Sequence, residues 1–354
     1  MSSKNNIFQL SACESIDHIK SGKISIVELV QSYIERIDQL NPVLNAWVHL
    51  NHPHVLETAK TMDQKNKNGE NLEPLFGIPI GVKDIFNTQD FPTEMGSHLW
   101  KNFEPGNDAR MISKIRLSNG IVLGKTETAE FAVHALGKSK NPFDFSRSPG
   151  TSSSGSAIAV ATGMSPIAIG TQTAGSIIRP ASYCGIYGFK PSYGLIPRTG
   201  MLKTTDTLDQ IGFFARNPYD LKLFLDVVRV RGKHYPFVEK SFNDVHNQSI
   251  ESKKLKIRLV KTHVWDMATN EVQKIVLQFV DKLDSLEKFD IEEFDLPEIF
   301  SHAHDIHELI YSKSLSYYFQ KELKDKSLVS DIFYSLTEKT KNVSISKFHD
   351  ALDY

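Results

Sequence analysis

"SGSAIAVATGMSPIAIGT" (Ser154–Thr171) places a run of small residues directly before a short β-branched run. Residues 154–163 predict a helix, and its small side chains let it lie close to other elements, so we expect it to be buried. Residues 165–171 predict a strand. Strands and helices alternate on both sides of this stretch, which is typical of an α/β layered fold.

Other segments extend this pattern. Ser25-Ile-Val-Glu28 is a capping box, and the apolar spacing behind it predicts a helix that ends at Asn41-Pro42. We predict further strands in "VLNAWVHL" (43–50), "GIPIGVKDIFNT" (77–88), "IVLGK" (121–125) and "KLKIRLVK" (254–261), and further helices up to about Asn66, in "DARMISKIRLSNG" (108–120), and in residues 269–288 and 301–323.

Composition excludes several classes of protein. The 354 residues are 40% hydrophobic and 23% charged, which is ordinary for a globular protein, and the formal net charge of −1 gives no pull toward nucleic acid or membranes. Cys13 and Cys184 cannot form a disulfide framework. The N-terminus has no apolar signal region, and no run reaches the length of a membrane span. We therefore expect a soluble, cytoplasmic protein.

Three short segments resemble functional motifs but lack features that those motifs require. "GIVLGKT" (120–126) resembles a phosphate-binding loop, but the position that requires the first glycine holds Asn119. His302, His304 and His307 lie in a polar helix where only the last two share a face, so we do not predict a metal site. Ser285-Leu-Glu-Lys288 lacks the motifs that accompany a catalytic S-x-x-K.

Ser176 and Lys83 stand out chemically. Ser176 follows the small-residue turn Thr173-Ala174-Gly175, whose backbone N–H groups can converge on one point as an oxyanion hole requires. Lys83 lies in a β-branched run, and burial there would lower its pKa and let it act as a base. From the residues alone, simpler interpretations stay open: Ser176 as a turn residue, and Lys83 exposed on an edge strand.

A longer resemblance covers about residues 77–216. "GIPIGVKDIFNT", "GKTETAEFA", "NPFDFSRSPGTSSSGSAIAVATG", "GTQTAGSIIRPASYCGIYGFKPSYGLIPRTG" and "LDQIGFFAR" follow the order and spacing of the amidase signature family, and are similar to generic amidases related to the A subunit of tRNA-dependent amidotransferases. The resemblance implies a mixed central β-sheet between layers of helices, in one amidase domain over residues 1–354. It also implies a Ser–cis-Ser–Lys triad with Ser176 as nucleophile, Ser152 as bridging serine before a cis peptide, and Lys83 as base.

The family's activity supplies the remaining expectations. The resemblance places the oxyanion hole at the backbone N–H groups of residues 173–176 and implies hydrolysis of a carboxylic acid amide through an acyl-enzyme. No cofactor or metal is expected. The expected partner is a small-molecule amide, and no direct contact with nucleic acid or a membrane is expected. Whether the chain forms a homodimer stays open. Two alternatives stand beside it: the glutaminase subunit of a tRNA-dependent amidotransferase, and a truncated, non-catalytic member. Ser153 and Ser154 are expected to fix the loop and cap the following helix.

Two features depart from the family's pattern. Gln172, Ala174 and Ile178 stand where many members have Asp, Gly and Arg, which resembles one branch of the family and weakens any transfer of substrate preference. The chain also stops at "FHDALDY", so we expect the helix-rich part over residues 217–354 to be truncated.

Overall fold

The computed structural model describes residues 3–235 and 254–354. The helices are α1 Ala12–Lys20, α2 Ile26–Leu44, α3 His52–Lys67, α4 Arg110–Leu117, α5 Ser154–Ala161, α6 Ile178–Tyr183, α7 Pro218–Val228, α8 Asn270–Asp284, α9 Ala303–Tyr318, α10 Asp331–Glu338 and α11 Ile345–Asp353. The strands are β1 Trp47–Leu50, β2 Pro79–Lys83, β3 Ile121–Thr126, β4 Ile167–Gln172, β5 Tyr187–Phe189, β6 Gln210–Ala215, β7 Leu255–Leu259 and β8 Phe289–Glu293.

A six-stranded mixed sheet has the order β1-β3-β2-β4-β6-β5. Its centre is parallel, since β2 pairs in parallel with both β3 and β4, while β1, β5 and β6 join antiparallel. The residues of β2, β3 and β6 are all buried, as expected for strands covered on both faces. The predicted α/β fold with a mixed sheet among helices is confirmed.

Helix α2 continues past its predicted end at Asn41-Pro42. The helix starts with the predicted capping box, in which the Ser25 hydroxyl accepts from the Glu28 N–H, but it runs through Pro42 to Leu44. Asn45, in the left-handed conformation, ends it instead. The Asn41 side chain donates a hydrogen bond to the Trp47 carbonyl and accepts one from the Trp47 N–H, and β1 begins only at Trp47.

Helix α5 lies as close to its neighbours as its small residues suggested. Residues 154–160 are all buried. A Cβ added to Gly155 would lie 2.3 Å from the Ala46 carbonyl oxygen and 2.4 Å from the Glu127 nitrogen. The helix therefore rests directly on backbone, which only glycine permits at this position.

The chain divides into two compact units. One holds Met1–Val230 and Tyr311–Val343, and the other holds Arg231–Ile310 and Ser344–Tyr354. The second unit contains β7 and β8, which form a parallel two-stranded sheet. One domain over residues 1–354 stays a prediction. Over the described ranges, no helix is both long and apolar enough to cross a membrane.

Candidate active site

Lys83 is the last residue of the central strand β2. It lies at the end of the sheet where the parallel strands β3 and β4 also finish. Its side chain is fully buried. The Nζ atom lies 2.7 Å from Ser152 Oγ and 2.9 Å from Thr171 Oγ1. Desolvation lowers the pKa of Lys83 to about 7, although the charges of Asp209 and Glu127 oppose this shift. A neutral amine is therefore common at neutral pH, and the interpretation of Lys83 as an exposed edge residue is wrong.

Ser152 lies in the loop that leads into α5. The Thr151–Ser152 peptide bond is cis, so the cis peptide precedes Ser152 and does not follow it as expected. Ser153 occupies the N-cap of α5 but makes no capping hydrogen bond. Its hydroxyl instead donates to the Thr171 carbonyl and accepts from the Thr171 N–H. The loop that carries Ser152 and Ser153 is thereby fixed to the end of β4, as predicted. The predicted capping role of Ser153 is wrong.

Ser176 lies in the turn between β4 and α6 and is 6% exposed. Among the residues that the structure describes, no acceptor bonds the backbone N–H groups of Ala174, Gly175 or Ser176, so these donors are open to a ligand oxygen. Thr173 holds the start of the turn through a 2.7 Å hydrogen bond to Asp209. The structure gives no hydrogen bond between the Ser152 and Ser176 hydroxyls; the direct contact is that between Ser152 and Lys83.

The loop that carries Ser152 is hydrogen-bonded to helix α6, which follows Ser176, and it also packs closely against β4. The Arg179 guanidinium, on α6, donates to the Thr151 carbonyl at 2.9 Å and 3.2 Å. Gly170 on β4 leaves room for the serine loop, since a Cβ there would lie 2.7 Å from Ser153 Oγ. Thr151, directly before Ser152, is thus hydrogen-bonded to Arg179, which lies shortly after Ser176 in the chain.

The sequence analysis missed Thr171 and the Asp84–Lys125 pair. Thr171 is the second hydrogen-bond partner of Lys83, and its place at the end of a predicted strand was the available signal. Lys125 is fully buried, and its Nζ lies 2.9 Å from Asp84 Oδ1, 2.7 Å from Thr93 Oγ1 and 2.8 Å from the Pro92 carbonyl oxygen. A buried ion pair therefore holds this second lysine, and its carboxylate, Asp84, directly follows the candidate base in the chain.

Replacing Lys125 with methionine should destabilise the protein by about 3–5 kcal/mol, because it leaves the Asp84 carboxylate buried without a counter-ion. Urea unfolding at neutral pH measures the change. Combining Lys125→Met with Asp84→Asn removes both charges and should recover part of the loss. A loss below about 1 kcal/mol for Lys125→Met would show that the pair does not hold this region.

The histidines of α9 and its preceding turn form no metal cluster. Over residues 3–235 and 254–354, no group of three His, Cys, Asp or Glu side chains is placed to hold a metal ion. His304 stacks edge-on with His263, with ring centroids 5.1 Å apart. These residues lie outside the unit that carries the serine loops.

Comparisons with known proteins agree with this architecture. A family model described as Amidase matches residues 28–353. The A subunit of glutamyl-tRNA(Gln) amidotransferase from Sulfurihydrogenibium sp. (strain YO3AOP1) is 34% identical over 300 residues, which covers 82% of this chain and 61% of that protein. Its counterpart from Gloeothece citriformis (strain PCC 7424) is 38% identical over 273 residues, or 74% of this chain and 56% of that protein. The chain thus spans about three-fifths of the length of these relatives.

Solved structures share the fold. The native peptide amidase from Stenotrophomonas maltophilia superposes with a TM-score of 0.80 at 24% identity, over 98% of this chain and 78% of that one. A bacterial aryl acylamidase of the amidase signature enzymes gives a TM-score of 0.82 at 23% identity, over 97% and 74%. The family model spans nearly the whole sequence and the fold is the one that these enzymes share, so the chain belongs to the amidase family.

Proposed function

We propose that this protein hydrolyses a carboxylic acid amide, with Lys83, Ser152 and Ser176 as its catalytic triad. The observation that carries the proposal is the 2.7 Å contact between Ser152 Oγ and a fully buried Lys83 whose pKa is lowered to about 7. A lysine that is neutral near the working pH can serve as a general base, as in Ser–Lys catalytic variants. Family membership supports the same reaction class.

In the proposed first step, neutral Lys83 takes the proton of the Ser152 hydroxyl, and Ser152 takes that of Ser176. Ser176 Oγ then bonds to the amide carbonyl carbon, and the carbonyl oxygen becomes an oxyanion. The N–H groups of residues 173–176 stabilise this charge. Removal of one such donor costs about 3–4 kcal/mol of transition-state stabilisation in comparable sites.

In the proposed second step, the oxyanion collapses and the carbon–nitrogen bond breaks. The departing nitrogen receives a proton from Ser152, which recovers one from the Lys83 ammonium, so the amine leaves neutral. Water then adds to the acyl-enzyme by the same relay and releases the acid. No metal or organic cofactor is needed to balance any of these steps.

Thr171 orients the base in this scheme. A neutral amine has one lone pair and two N–H donors. When Lys83 donates to Thr171 Oγ1, its lone pair is free to accept from Ser152. Thr171 therefore acts through Lys83 as a positioning residue.

A second candidate function is the glutaminase subunit of a tRNA-dependent amidotransferase. The names of the curated relatives favour it, since those proteins are the A subunits of such enzymes. In that case the substrate is glutamine and the ammonia passes to a partner protein. Glutamine hydrolysis that appears only with the partner proteins present supports this candidate, whereas hydrolysis of simple amides by the isolated chain supports the first.

Labelling with a small fluorophosphonate tests the proposed site directly. We expect one covalent adduct, on Ser176, located by mass spectrometry of the purified chain. The labelling rate should rise with pH through about 7 and then level off, because deprotonation of Lys83 creates the base. An adduct on another residue, or a rate that falls as pH rises through 7, would refute the proposal.

A further inference from the structure

The side chain of Gln172 spans the turn that carries Ser176. Gln172 is the last residue of β4, and its Oε1 accepts from the Ile177 N–H at 2.9 Å and from the Ile178 N–H at 3.0 Å. Ile177 and Ile178 directly follow Ser176 in the chain. A single side-chain oxygen therefore joins the end of the strand to the first residues after the proposed nucleophile.

The start of α6 needs this oxygen. The first N–H groups of a helix have no acceptor within the helix, and a side chain at the N-cap position usually supplies one. The N-cap residue of α6 is Ile177, which is fully buried and whose apolar side chain cannot accept a hydrogen bond. A buried N–H without an acceptor is costly. Gln172 supplies the missing acceptor from the neighbouring strand.

The turn between β4 and α6 is held at both ends. At its start, Thr173 Oγ1 donates to Asp209 Oδ1 at 2.7 Å, and at its end Gln172 holds the two residues after Ser176. In the part of the chain that the structure describes, the backbone N–H groups of residues 174–176 between these anchors have no acceptor. Donors that are fixed in place but unbonded are what stabilisation of an oxyanion requires.

Gln172 and its neighbour Thr171 serve different parts of the site. Successive side chains of a strand leave it on opposite faces. Thr171 Oγ1 lies 2.9 Å from Lys83 Nζ, whereas the Gln172 oxygen bonds the start of α6. An effect of Gln172 on the reaction therefore passes through the turn and leaves the contacts of the proposed base intact.

We propose that Gln172 is a positioning residue, which holds Ser176 and the N–H groups of residues 174–176 in the geometry that the transition state needs. This role rests on the proposed function, in which Ser176 attacks an amide carbonyl. The two hydrogen bonds of Gln172 belong to the fold and exist without that reaction.

Replacing Gln172 with methionine removes the acceptor and keeps the length of the side chain. In hydrolysis of a simple carboxamide, Gln172→Met should lower kcat about 10²-fold or more, the scale of a lost oxyanion donor or of a misplacement by about 1 Å. KM should stay within about threefold, because these donors act on the transition state. Gln64→Met, on the exposed part of α3, is the matched control and should change neither constant.

Two further readouts separate positioning from a general loosening of the site. Gln172→Glu keeps an acceptor oxygen at the same position, so its kcat should stay within about tenfold of the original. In Gln172→Met the rise in rate through about pH 7 should remain, because Lys83 keeps both of its hydroxyl partners. A disrupted site would move that rise.

Hydrogen–deuterium exchange tests the hydrogen bonds of Gln172 without any activity. Loss of one hydrogen bond corresponds to about a tenfold change in an equilibrium constant. The backbone amides of Ile177 and Ile178 should therefore exchange about tenfold faster or more in Gln172→Met, and at the original rate in Gln172→Glu. Mass spectrometry of the segment that contains both residues measures these rates.

The two kinds of measurement distinguish two failures. If the original protein hydrolyses amides and Gln172→Met keeps kcat within threefold, Gln172 does not position the site although the proposed function stands. Equal losses of kcat in Gln172→Met and Gln172→Glu would likewise overturn the role. If the original protein neither hydrolyses amides nor takes the fluorophosphonate label, the proposed function fails, and exchange alone decides whether Gln172 holds the turn. Where circular dichroism shows that Gln172→Met does not fold, Gln172→Ala takes its place.

Discussion

Ser176→Ala is expected to lower kcat for a simple carboxamide by about 10⁴- to 10⁶-fold, the scale on which loss of a serine nucleophile acts in other hydrolases. Alanine cannot form the acyl-enzyme, so only the oxyanion hole and substrate binding remain. Steady-state hydrolysis of a carboxamide by the purified variant measures the loss. Fluorophosphonate labelling should disappear in the same variant.

Ser182→Ala is the matched control for this experiment. Ser182 is exposed on α6, close to Ser176 in the chain but without a proposed role. Its replacement should leave kcat and labelling within about twofold of the original, as surface substitutions usually do. Ser176→Ala with activity within tenfold of the original protein would remove Ser176 as the nucleophile.

Lys83→Met should lower kcat/KM for an amide by about 10²- to 10⁴-fold, the usual contribution of a general acid–base group. The loss for the matching ester should be markedly smaller. In the proposed mechanism Lys83 returns the proton that the leaving amine needs, whereas an alkoxide or phenoxide departs more readily without one. Parallel kinetics with an amide and an ester of the same acid give the two ratios.

Lys60→Ala, on the exposed part of α3, is the control for loss of a lysine charge and should change neither ratio. Equal losses of amide and ester hydrolysis in Lys83→Met would contradict the proton relay. The pH profile adds a second readout, since the rise through about pH 7 should vanish together with Lys83.

Prediction of the fold from sequence succeeded where local signals and packing agree. The capping box at Ser25 and the small residues of α5 identified their helices. Pro42 misled the prediction because a proline in the last turn removes only one hydrogen bond, while the left-handed Asn45 decides where the helix stops. The structure at the end of α2 also includes the hydrogen bonds between the Asn41 side chain and Trp47, which no local sequence pattern shows.

The candidate site, like the fold, could be predicted from the sequence only in part. Both Lys83 and Lys125 lie in apolar runs and both are fully buried, although the sequence left open that Lys83 is exposed on an edge strand. Their difference lies in partners that are distant in sequence: a carboxylate for Lys125, and hydroxyls alone for Lys83. Only the pairing of strands brings those partners to each lysine, so the sequence alone could not show that the two buried lysines have different kinds of partner.

The contact of α5 with neighbouring backbone limits how this protein can be re-engineered. Gly155 touches the main chain of two other segments, and main chain cannot be trimmed by a compensating substitution elsewhere. A library that seeks new substrates should therefore keep residue 155 fixed.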